Sequence, residues 1–109
     1  MSEVGPFTPA EWEAWLEANH ETETEVWLVQ WKKATGKQEL AYAQAVEVAA
    51  MFGWIDSMEK GIDAERFRLR WTPRRPKGHW TDKNVALAER LIAEGRMRPA
   101  GLRAYSSRR

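Results

Sequence analysis

Cysteine is absent from this chain of 109 residues, which excludes disulfides and thiol catalysis and fits a reducing compartment. Histidine occurs only twice, at His20 and His79. The two lie far apart with no further His or Cys beside them, so no metal-ligand spacing exists and no metal is expected. Glycines stand singly, with no phosphate-cradling loop, and no nucleotide cofactor is expected. Ser57 has only Asp56 beside it, which is too little for a nucleophilic triad. The longest apolar run, residues 48–55, is far too short to cross a bilayer. The opening MSEVGPFTPAEW lacks the basic start and apolar segment of a secretory signal. No membrane partner is expected, and the cytoplasm is the expected compartment.

What is present is the composition of one globular domain, with 43% hydrophobic and 30% charged residues. The length allows a single hydrophobic core. The net charge of +1 conceals a polarised chain. Residues 1–65 carry thirteen acidic against four basic side chains, a balance of −9, and residues 66–109 carry thirteen basic against three acidic, +10. Two explanations stand: an anionic partner for the basic part, or two halves that fold against each other and neutralise internally.

Local signals predict the order α-β-α-β-β-α-α. Thr8, Pro9 and Glu11 form a capping box for a first helix ending near His20, with Trp12, Trp15, Leu16 and Asn19 on one face. Val26 to Trp31 is rich in strand formers, and residues 32–37 read as a turn. Tyr42, Ala45, Val46, Ala49 and Phe52 mark a second helix closed by Gly53. A short strand over 54–60 turns at residues 61–63 into a second strand, in which Phe67, Leu69 and Trp71 alternate with Arg66, Arg68 and Arg70. Such close neighbours pair antiparallel. Thr81 caps a third helix that Gly95 ends, and Pro99 opens a last one holding Leu102 and Tyr105. The expected fold is α+β in one domain over 1–109: a small antiparallel sheet of about three strands flanked by helices. Residues 1–7 and 106–109 are expected to be flexible.

Residues 52–80 concentrate the chemistry. Two prolines bracket two arginines in Thr72-Pro73-Arg74-Arg75-Pro76, a rigid basic turn that a sheet edge would deliver. Arginine offers a fork of donors suited to phosphate or carboxylate, and tryptophan a flat apolar surface. The candidate ligand-binding set is therefore Trp54, Asp56, Arg68, Thr72, Arg74, Arg75, Trp80 and Asn84, for a small anionic or aromatic ligand or a protein partner. The competing reading makes Asp56 a cross-strand partner of an arginine and the tryptophans core. Two further functions remain open. Asp56 would be the general acid or base of an enzyme, with Arg74 and Arg75 stabilising an anion. Alternatively, the Arg66, Arg68 and Arg70 stripe would track a nucleic-acid backbone. Trp12, Trp15, Trp27 and Trp31 read as core.

Four blocks, Phe52-Gly53-Trp54-Ile55-Asp56, Thr72-Pro73-Arg74-Arg75-Pro76, Trp80-Thr81-x-x-Asn84 and Gly95-Arg96-Met97-x-Pro99-Ala100-Gly101-Leu102, resemble in order and spacing the YdeI/OmpD-associated family, also called bacteriocin-protection proteins. The resemblance runs from about Thr8 to Tyr105. It implies a small cytoplasmic α+β domain with a role in stress or bacteriocin resistance, and it supplies no catalytic residues. Ser57 stands where the family commonly has Gly, and Thr81 where it often has Ser. The outer-membrane part of the family name does not carry over, because nothing in the chain directs export.

Overall fold

The capping box forms as the sequence demands. In the computed structural model, which describes residues 2–108, Glu11 N–H donates to Thr8 Oγ1 at 3.2 Å and Thr8 N–H to Glu11 Oε1 at 2.9 Å. Such a cap contributes about 1 kcal/mol. It starts α1 (Pro9–Asn19), which follows a two-residue strand β1 (Glu3–Val4). Then come β2 (Val26–Trp31), a single 3₁₀ turn (Lys33–Thr35), α2 (Tyr42–Met51), β3 (Trp54–Gly61), β4 (Arg66–Pro73), α3 (Asp82–Ala93) and α4 (Pro99–Ser106). The fold is α+β.

The sheet differs from expectation in three ways. It has four strands in the order β1-β2-β4-β3. It is also mixed, because β1 runs parallel to β2, with Glu3 opposite Trp27 and Val4 opposite Leu28, while the other pairs are antiparallel. And β4 is central, so the strand leading to the basic turn is not an edge. β1 was illegible because two residues carry no periodicity. Part of the segment 1–7 expected to be flexible is therefore sheet, and Phe7 packs against the core. At the other end Ser106 closes α4 and the Ser107 carbonyl accepts from Lys77 N–H at 2.9 Å, whereas Arg109 lies outside the described residues.

Period two divides the sheet into unlike faces. Val26, Leu28, Leu69 and Trp71 face the helices in one core with Trp12, Leu16, Val48 and Leu91. Tryptophans bind the layers together. Trp12 lies 5.5 Å from Trp71 and donates its Nε1–H to the Ala45 carbonyl at 3.1 Å, and Trp15 meets Trp54 edge-on at 6.0 Å. Aromatic pairs of this kind add ~0.5–1.5 kcal/mol beyond burial.

The opposite face carries Trp27, which is core as expected, and Trp31, which is only partly buried and corrects the expectation. Trp27 is buried, but beneath cations: the Lys60 ammonium lies 5.4 Å and the Arg68 guanidinium 5.5 Å from its ring centroid. The stems of long basic side chains cover it in place of a second helical layer.

A β-bulge sets which way β3 looks. Asp56 pairs with Trp71 and Met58 with Arg70, so Ser57 is the additional residue. Asp56 thereby stays on the helical side while Met58 and Lys60 join the arginines outside. The Ser57 hydroxyl accepts from Arg70 Nη1 at 3.2 Å.

Candidate functional site

Where the helices leave the inner side of β3 uncovered, a cleft of about 450 Å³ opens between α2, β3 and α3. That volume lies within the ~300–1,000 Å³ usual for small-molecule sites. Of the residues expected at a site, Trp54, Asp56, Arg74, Trp80 and Asn84 line it together. Three do not. Arg68 is on the far face of the sheet, bonded to Glu3. Thr72 sits opposite Ile55, one residue out of phase with Trp71 and Pro73, so it too faces away. Arg75 is exposed in the turn, where its carbonyl accepts from Gly78 N–H at 3.1 Å.

The turn is held from two sides. Arg74 N–H donates to the Gly53 carbonyl at 2.9 Å, and the bond from Lys77 N–H to Ser107 anchors its far end. Gly53 has φ +75°, and a Cβ there would meet Ala104 Cβ at 2.9 Å and the Ala100 carbonyl oxygen at 3.0 Å. This glycine is what lets α2 stop, β3 begin and α4 approach at one point.

Arg74 is half-buried with its guanidinium over the indole of Trp80, 4.0 Å from the ring centroid. Among the described residues no carboxylate pairs with it, whereas Arg66, Arg68, Arg70, Arg90, Arg96 and Arg98 each contact one. Burial lowers its pKa below the ordinary arginine value, and the charge of Asp56 opposes that shift. Asp56 takes its own hydrogen bond from the Tyr42 hydroxyl, at 3.0 Å to Oδ2. Burial first, and then this bond, raise the Tyr42 pKa. Trp71 forms part of the wall, and its Nε1–H is buried without an acceptor among the described residues. An orphan donor of this kind costs about 1–3 kcal/mol, and such groups call for an explanation.

The remaining wall was not foreseen as a site. Tyr42, Val46 and Ala50 lie at i, i+4 and i+8 on α2, while Lys83, Leu87 and Arg90 form a matching stripe on α3. The pattern was visible, but it reads equally well as a core face. Glu47 and Arg90 satisfy each other in a cluster with Arg96 and Glu94. The Arg90 hydrogen bond holds the Glu47 pKa below its usual range. Asn84 spends Oδ1 on the Thr81 N–H at 3.2 Å, and its backbone N–H donates to Thr81 Oγ1 at 3.1 Å. It therefore caps α3 as well as lining the cleft, and only its Nδ2 is left for a ligand.

The arginine stripe is largely self-neutralised. Arg66 pairs with Asp63 at 2.8 Å, Arg68 with Glu3 and Arg70 with Glu25. Glu47 with Arg90, and Glu13 and Glu17 with Arg98, extend the pattern across the molecule. The acidic first part of the chain thus meets the basic second part, as one of the two explanations of the charge asymmetry requires. Among the described residues no helix is long and apolar enough to cross a membrane.

No curated protein and no solved structure matches the chain. Residues 6–104 match the model of a domain of unknown function, DUF8412, and the chain belongs to that family.

Proposed function

We propose that this domain is a non-catalytic binding module whose cleft holds a small anionic ligand with an aromatic or apolar body. One observation carries the reading: Arg74 is a half-buried guanidinium with an aromatic platform and no carboxylate partner among the described residues. An unpaired, partly desolvated cation is costly, and an incoming carboxylate or phosphate offsets the cost with a bidentate hydrogen bond. Trp54, Trp80 and Leu87 supply the apolar wall. The resemblance to the YdeI/OmpD-associated family implies that such binding serves resistance to a stress or a bacteriocin. The same pocket would serve for a protein partner offering an acidic side chain.

Calorimetric titration with benzoate and with inorganic phosphate tests the reading. The native chain and Arg75→Gln bind one of the probes, and Arg74→Gln loses binding while keeping its thermal midpoint. Equal affinity of the native chain and Arg74→Gln for every probe that binds would remove the pocket.

The Tyr42–Asp56 hydrogen bond favours a second reading, in which Asp56 acts as general acid or base and Arg74 stabilises the anion formed. Arg75, outside the cleft, has no part in it. An Asp56→Asn variant that keeps ligand affinity and loses turnover would support the enzyme. Nucleic-acid binding through Arg66, Arg68 and Arg70 is the weaker alternative, because each of the three already has a carboxylate partner.

A further inference from the structure

Asp56 and Arg74 face the same cleft without joining, beside the Glu47–Arg90 ion pair and Lys83 at its wall. Asp56 and Arg74 both line it, and the charge of Asp56 acts on the Arg74 guanidinium. Yet Asp56 is bonded to Tyr42, and Arg74 pairs with no carboxylate among the described residues. Asp56 and Trp71 are direct cross-strand neighbours. The acidic group of Asp56 and the guanidinium of Arg74 are thus brought to one cleft, against the buried indole of Trp71.

The pair of charges discriminates among ligands. A simple monoanion would satisfy Arg74 but bring a second carboxylate towards Asp56, and a simple amine would satisfy Asp56 but meet Arg74. Each carries a like-charge penalty. A ligand with both signs on adjacent atoms avoids both. The apolar remainder of the wall, Val46, Ala50 and Leu87 with the indoles of Trp54 and Trp80, asks for a hydrocarbon or aromatic substituent.

From this arrangement we propose that the cleft binds a free α-amino acid with an apolar side chain. Its carboxylate is held by Arg74, its ammonium by Asp56, and its side chain by the Val46, Ala50 and Leu87 wall. Tyr42 orients Asp56 by occupying Oδ2 and leaves Oδ1 for the ammonium. This inference rests on the reading of Arg74 as an anion-binding group and names the ligand class for that site.

The test compares leucine, phenylalanine, N-acetyl-leucine and leucinamide by isothermal titration calorimetry on the full chain. The native protein binds leucine or phenylalanine, and N-acetyl-leucine and leucinamide bind roughly 10-fold or more weakly, the scale of one charge-assisted hydrogen bond. Asp56→Asn erases the preference of leucine over N-acetyl-leucine, and Arg74→Gln loses all carboxylate binding. N-acetyl-leucine binding as well as leucine, in an Arg74-dependent way, would overturn the amino-acid assignment and leave the anion site standing. Failure of all four ligands would overturn the assignment, and the benzoate and phosphate titrations then decide the anion site independently. Circular dichroism of both variants excludes misfolding as the cause of a loss.

Discussion

The guanidinium of Arg74 stands 4.0 Å from the centroid of the Trp80 ring, and Tyr105 meets that same indole edge-on at 6.0 Å. The basic turn and the start of α3 are thus joined through one aromatic side chain, itself braced by α4. A cation so placed gains ~0.5–2 kcal/mol from the ring and keeps its N–H donors for a ligand in the plane of the guanidinium.

Trp80→Ala should therefore weaken benzoate binding by about 0.5–2 kcal/mol without unfolding the domain, since Trp80 lies outside the main buried cluster. Calorimetric titration of the variant measures the loss. An unchanged affinity would show that the stacking does not position Arg74.

Gly53→Ala should destabilise the domain by roughly 1–3 kcal/mol, from a left-handed backbone and from overpacking. Ala104 Cβ and the Ala100 carbonyl oxygen stand 2.9 and 3.0 Å from the added methyl. Because the Gly53 carbonyl also holds Arg74 N–H, benzoate affinity should fall with stability. Urea denaturation at neutral pH measures the first effect, and a midpoint equal to that of the native chain would contradict the packing described.

Acid should destabilise the fold through two identifiable carboxyls. Asp63 is lowered to about 2 from 3.8, first by its hydrogen bond from Arg66 and then by the backbone N–H groups of Glu65 and Arg66. Glu47 is lowered from 4.5 by Arg90. Both bind protons more readily unfolded than folded, so their contribution is whole above the unfolded values and is lost as pH falls through the folded ones. The melting temperature should drop as pH falls from 4.5 towards 2. Asp63→Asn should flatten the lower part of that drop, and an identical slope in the variant would contradict the assignment.

Alkaline titration should find both tyrosines above the ordinary phenol value of 10.0. Tyr42 is raised by burial and then by Asp56, and Tyr105 by its bond to Glu89 and then by burial. Folding favours the neutral phenol at each, so their contribution is intact below 10.0 and is lost as pH rises through the folded values. In the tyrosinate absorbance, Asp56→Asn should move one of two steps to lower pH. A variant curve overlaying the native one would show that the Tyr42–Asp56 bond does not persist in solution.

Much of the fold is legible in the sequence. Thr8 and Thr81 both cap helices, Gly53 and Gly95 end them in the left-handed region, and Phe67, Leu69 and Trp71 face inward as their alternation requires. Five of the eight residues proposed for a site share one cleft. Arg68, Thr72 and Arg75 do not, because nearness in sequence to the basic turn says nothing about the side of the sheet on which a side chain emerges. Ser57 shows the same limit. A bulge at a single residue decides that Asp56 looks into the cleft and Met58 away from it.

By itself, the sequence determined where each major element begins and ends and which face of it is apolar, since caps, breakers and periodicity act over a few neighbouring residues. Which arginines meet a carboxylate, and which one lines the cleft without one among the described residues, was decided only by the tertiary structure. Arg68 finds Glu3 across 65 positions, Arg70 finds Glu25 across 45 and Arg90 finds Glu47 across 43. Pairings over such separations exist only once β4 lies between β2 and β3 and α3 against α2, and Arg74 is distinguished from its neighbours by where that packing leaves it.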